Sequence, residues 1–137
     1  MKKITGIIYI SLFSVVSVAD ILPADPLERC RKEMSSYGAA ERCAREVVEV
    51  ADKELNVAYK TLMSQLKDHD AKKLRNAQRK WIDFKEADCE FSSPLSAEPD
   101  IKELSDRAYC VAEKTLIRLK EINKIISWPV GCGGCPF

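Results

Sequence analysis

AAERCAREVVEVADKELNVAYKTLMSQLK, residues 39–67, decides the fold class. From Val47 onward its apolar residues, Val48, Ala51, Leu55, Ala58, Leu62 and Leu66, fall on one face at helical spacing. No Gly or Pro interrupts the run, so one long amphipathic helix is expected.

Upstream, DPLERCRKEMSSYG begins like a short helix. Asp25 stands at the N-cap, Pro26 at the first helical position and Glu28 where a capping box places its acid. SSYG then reads as a turn, with Gly38 suited to the left-handed residue that stops a helix. Downstream, DHD breaks the long run, and Asp70 can cap a helix through AKKLRNAQRKWIDFKEADCEF. Its expected inward stripe is Leu74, Ala77, Trp81, Phe84 and Ala87 or Asp88. SSPLSAEPD reads as a loop, since two prolines and three serines do not sustain a helix. Asp100 with Glu103 makes a second capping box and opens a helix whose stripe runs Ile101, Leu104, Ala108, Val111, Thr115, Leu119, Ile122 and Ile126. Pro129 ends it. No segment alternates with period two, and there is no internal repeat. The expected fold is all-α: an antiparallel helical bundle of a short N-terminal helix and three longer ones, braced by disulfides.

The first nineteen residues have the three parts of an export signal. MKK is positive, ITGIIYISLFSVVSVA is apolar, and Ser17-Val18-Ala19 is a small-x-small cleavage site. The division expected is a cleaved signal peptide over 1–19, a helical domain over 20–128 and a Cys-containing tail over 129–137. LERC at Cys30 lacks the small residues of a lipidation box, so no membrane span or anchor is expected after cleavage. The destination is then the bacterial periplasm or the medium. Losing Lys2 and Lys3 takes the formal net charge from +1 to −1, which gives a nucleic-acid partner no support.

Outside the reducing cytosol, six cysteines in so short a chain imply disulfides before metal. Cys30 and Cys43 flank the SSYG turn and come together when the hairpin folds. Cys89 and Cys110 flank the Pro-rich loop, and joining them is worth about 3 kcal/mol in the chain-entropy model. Cys110 points away from the apolar stripe of its own helix, which places that bond outside the hairpin or makes the helix start irregular. Cys132 and Cys135 are left to pair with each other. No helix follows them to activate a thiol, and His69, the only histidine, is far from them in sequence. A self-closed disulfide is the expectation for the tail, with thiol or metal exchange as the alternative. No cofactor and no metal site are expected.

Two stretches are more particular than generic helices. CAREVVEVADKELNVAYKTL sets Asp52, Asn56 and Tyr59 along the flank of the apolar face, and LRNAQRKWIDFKEADC sets Gln78 and Arg79 just before Trp81. Their first reading is a half-buried polar network that holds helix register, with Trp81 as core filler. Together with Cys30, Cys43 and CVAEKTLIRL, which carries Cys110, Thr115 and Arg118, they resemble the LprI-type lysozyme inhibitor family of small exported helical proteins. The likeness spans about Cys30 to Leu119. It implies a helical bundle with paired cysteines and, beyond that, binding and inhibition of a lysozyme in the bacterial envelope. GCGGCPF has no counterpart in the pattern.

Catalysis is not expected. There is no Gly-x-Ser-x-Gly, phosphate loop or His-Glu-x-x-His, and carboxylates such as Glu86 and Glu90 fall on exposed helix turns. Charge is, however, segregated. Asp83 to Asp106 holds eight acids and two bases, while Lys67 to Lys80 holds six bases and two acids. An acidic, crosslinked loop would be steered towards a basic protein such as a lysozyme. The candidate contacts are Glu90, Ser92, Ser93, Ser96, Glu98 and Asp100. The alternative is an envelope interaction or immunity protein that binds another protein without inhibiting lysozyme. Nothing in the residues sets an oligomeric state.

Overall fold

The computed structural model describes residues 25–32 and 35–127. Four helices form in chain order: α1 (Pro26–Lys32), α2 (Tyr37–Gln65), α3 (Asp68–Ser92) and α4 (Ile101–Ser127), with no strand among the described residues. The expected signal peptide and the Cys132–Cys135 pair lie outside the described residues.

The helix ends follow local chemistry, with three departures from the expected caps. Asp25 caps α1 through Oδ1, which accepts from Leu27 N at 3.0 Å, but Glu28 turns to Arg31 and Lys32, each at 3.4 Å. Ser36 caps α2, its hydroxyl accepting from Ala39 N at 3.3 Å. Gly38 therefore lies within the first helical turn and stops nothing. Lys67 precedes α3 without any side-chain cap, and Asp70 lies within the first turn, near His69 and Lys73. Asp100 and Glu103 do form the reciprocal box at α4.

The closest packing in the molecule is between α2 and α4, which are not neighbours in sequence. Small buried residues make this possible: Ala40, Ala44, Ala51 and Ala58 on α2, with Ser105, Ala112 and Thr115 on α4. Side chains this short let two backbones approach near the lower limit of roughly 8 Å between helix axes. Thr115 hides its hydroxyl by donating to Val111 O at 2.8 Å.

Two apolar clusters lie along this seam. In the first, Ala44 and Val47 of α2 meet Ala112 of α4, under Leu27 and Cys30 of α1. In the second, Leu55, Ala58 and Leu62 meet Leu119 and Ile122, with Leu74 and Trp81 of α3 packed against them. The first half of α2 thus meets the first half of α4, so these two helices run parallel. α3 returns between them in sequence and runs antiparallel to both.

α3 is the outlier. Its only buried residue is Cys89. Leu74 and Trp81 turn inward as expected and so does Asp88, which reaches Lys114 of α4, but Ala77, Phe84 and Ala87, the other choice for the last position, are exposed. The reason is how α4 divides its circumference. Ala112, Thr115, Leu119 and Ile122 serve α2, while the adjacent row Cys110, Lys114 and Arg118, at four-residue steps, serves α3. This also resolves the orientation of Cys110: it points off the apolar stripe because it points at α3. Cys30–Cys43 and Cys89–Cys110 are both disulfides, each with Cα atoms 5.7 Å apart.

With so little apolar burial of its own, α3 depends on the Cys89–Cys110 bond. Replacing both cysteines by Ala should cost about 3 kcal/mol in urea unfolding. Trypsin should then cut first at Arg75, Arg79 or Lys80 on α3, while α2 stays protected.

Candidate functional site

The seam between α3 and α4 is polar. Lys114 Nζ pairs with Asp88 Oδ2 at 2.6 Å, and Arg107 reaches Glu86 at 3.8 Å. One turn further along, Arg118 Nε donates to Gln78 Oε1 at 3.0 Å, and Arg118 also pairs with Glu121 at 2.8 Å. The Trp81 ring lies within reach of two cations, Lys85 Nζ at 5.3 Å and the Arg118 guanidinium at 5.8 Å. Both cations keep little exposed side-chain surface, which strengthens the attraction.

The expected polar network is thus distributed differently. Gln78 and Trp81 meet through Arg118, a residue of α4. Asp52, Asn56, Tyr59 and Arg79 make no side-chain hydrogen bond or ion pair among the described residues, and Asn56 and Arg79 are exposed. Arg118 and Lys85 are the residues that periodicity did not single out as partners of Trp81. Arg118 belongs to the CVAEKTLIRL stretch that carries the family resemblance, whereas the only sequence signal of Lys85 is a cation one helical turn after Trp81.

Beyond the seam, the loop from Ser93 to Asp100 is held at both ends. At its start, Cys89 is bonded to Cys110, Ser93 N donates to Cys89 O at 3.0 Å, and Ser92 Oγ donates to Asp88 O at 2.8 Å. At its end, a single oxygen of Glu103 accepts from Ser96 Oγ at 2.8 Å, Asp100 N at 3.2 Å and Ser96 N at 3.4 Å. Asp100 Oδ1 in return accepts from Glu103 N at 2.8 Å. Gly38 brings α2 to the same end, since a Cβ on it would meet Ile101 at 3.9 Å.

The six loop candidates therefore separate into two sets. Ser92, Ser96 and Asp100 are engaged inside the protein. Glu90, Ser93 and Glu98 have no side-chain hydrogen bond or ion pair among the described residues, and both glutamates are exposed. Of the acids in this region, Asp88 is taken by Lys114, Glu86 by Lys85 and Arg107, and Asp106 by Lys102 at 2.6 Å. Asp106 holds the Lys102 ammonium above its ordinary pKa, first through the hydrogen bond and then through its charge. Asp100 and Glu103 have only amide and hydroxyl donors as partners, so with Asp83, Glu90 and Glu98 they remain without a cation and give this end its negative field. No group of His, Cys, Asp and Glu among the described residues is arranged to hold a metal ion.

A helical bundle with paired cysteines is what the resemblance implied, and a comparison with protein families agrees with that resemblance. The sequence model described as Lysozyme inhibitor LprI matches residues 30–122. The chain belongs to the LprI lysozyme inhibitor family. That span runs from the first disulfide cysteine to Ile122 in the second apolar cluster, so it covers both disulfides, the polar seam and the loop. The family is one of inhibitors, so a protein partner is the coarse functional inference. No curated protein and no solved structure matches the chain. Among the described residues no helix is long and apolar enough to cross a membrane.

Glu103 is the residue on which the loop closes. Changing Glu103 to Ala should cost about 1 kcal/mol, as for the loss of a helix cap. Amide exchange at Ser96 and Asp100 should speed up at least tenfold, while exchange at the α2–α4 seam stays unchanged.

Proposed function

We propose that this LprI-family protein is exported through cleavage after Ala19 and binds a basic lysozyme in the periplasm or outside the cell, blocking its hydrolysis of the wall. The observation that carries the reading is the acidic loop, held in one conformation within a fold that belongs to an inhibitor family. Glu90 and Glu98 are uncompensated there, so the loop attracts a basic surface. The bond to Cys110 and the Glu103 clasp order the loop before binding, which reduces the entropy lost on association.

In this reading Glu90 and Glu98 contact the basic rim of the enzyme, and Ser93, whose hydroxyl is free, hydrogen-bonds nearer its cleft. Ser92, Ser96 and Asp100 act indirectly by holding the loop. Trp81, Gln78 and Arg118 keep α3 in place. The tail that contains Cys132 and Cys135 has no part in binding.

The test is hydrolysis of cell-wall substrate by a basic lysozyme in the presence of the purified mature chain. Inhibition should appear at near-stoichiometric protein and weaken as salt rises from about 0.01 to 0.15 M, where the screening length falls from about 30 to 8 Å. The double change Glu90→Gln with Glu98→Gln should slow association several-fold at low salt and little at high salt. Unchanged hydrolysis at a several-fold molar excess would rule the inhibitor reading out in favour of another envelope partner.

A further inference from the structure

One flank of α3 contributes little to the fold. Ala77, Phe84 and Phe91 follow one another at seven-residue steps, and Ala87 sits between the two rings. At roughly 100° per residue each step of seven turns the position by only ~20°, so the four make one stripe. It lies about a quarter-turn from the inward row of Leu74, Gln78, Trp81 and Lys85. Phe84 is 56% exposed and Phe91 87%, the most exposed of the large apolar residues described. Lys114 stands 5.5 Å from the Phe84 ring and fixes its inner edge, leaving the outer part open to solvent.

Single exposed apolar residues are ordinary, but two aromatics in line on one helix are a docking pattern. Asp83 and Glu90 each directly precede one of the two phenylalanines. They repeat the seven-residue step, forming an acidic row beside the apolar one, and neither has a cation. We infer that this face of α3, with Phe84 and Phe91 as anchors and Asp83 and Glu90 beside them, is a protein-docking surface. Its occupant is a basic protein with an apolar-walled cleft.

Two observations select that occupant. The acidic row requires positive charge on the facing surface. The apolar part is a narrow convex ridge, and two copies of a ridge meeting each other bury far less than the roughly 1,600 Å² of a standard stable interface. A cleft encloses the ridge on both sides. The inference rests on the inhibitor reading for the identity of that protein: the ridge enters the lysozyme cleft while the adjoining loop meets its rim.

The experiment uses the full mature chain with its disulfides intact, and a basic lysozyme as the probe. Binding is read by calorimetry, inhibition by wall hydrolysis and association state by sedimentation. Phe91→Ala, at a side chain the fold does not use, should weaken binding at least about tenfold, as for a buried aromatic anchor, with helicity and melting unchanged. Phe84→Ala combined with Phe91→Ala should weaken it further. Val57→Ala, at an exposed apolar residue of α2, should bind as the wild type does. Binding without inhibition, still lost in Phe91→Ala, removes the inhibitor reading and keeps the docking surface. Inhibition that is unaffected by either phenylalanine change removes the docking surface and keeps the inhibitor reading. Failure of the wild type to bind lysozyme removes both. A wild-type dimer that Phe91→Ala converts to monomer gives the stripe to a second copy and overturns the assignment.

Discussion

Close contact between the small residues of α2 and α4 is the constraint on which everything else rests. Ala44, Ala51, Ala58, Ala112 and Thr115 are buried, and any larger side chain there would push the helices apart. Because α2 and α4 are separated by the whole of α3, their pairing makes the chain leave the seam and return to it. Their parallel direction follows, and so does the position of α1, which covers one end of the seam through Leu27 and Cys30.

α3 is held by a different kind of force. Its inner face offers Leu74 and Trp81 to the apolar cluster, and the remainder is amide, cation and carboxylate. Such bonds are individually modest in partly exposed settings. The covalent link from Cys89 to Cys110 therefore sets how firmly α3 stays in place. A helix attached in this way buries little of its apolar surface. Phe84 and Phe91 stay in water because α4 meets α3 with Lys114 and Arg118 instead of with an apolar face.

The end that carries the acidic loop inherits both features. Cys89–Cys110 anchors the loop at one side and Glu103 closes it at the other, so its shape is specified without an apolar core beneath it. Of the acids clustered by sequence, Asp88, Glu86 and Asp106 are paired with Lys114, Arg107 and Lys102, Asp100 and Glu103 are held by each other's backbone N–H, and Asp83, Glu90 and Glu98 have no partner and face water. Local net charge alone would have overstated the field this end presents. Three carboxylates with no partner on an ordered frame are a more specific arrangement than the crowd of acids first visible in the sequence.

The sequence by itself determined the helical class, the four segments, the Asp100–Glu103 box and the pairing of four cysteines around two turns. Each of these follows from spacing within a helix or from residues close along the chain. Family membership was also legible, because it rests on residue order. The tertiary structure alone decided which helices touch. An apolar stripe shows that a helix has an inward face, but not what that face meets. α4 therefore read as a single stripe while it serves two partners, and α3 read as a core helix while half of its apparent stripe faces solvent. Ser92, Ser96 and Asp100 looked as free as Glu90, Ser93 and Glu98, since a side chain is engaged or available only through neighbours that folding supplies.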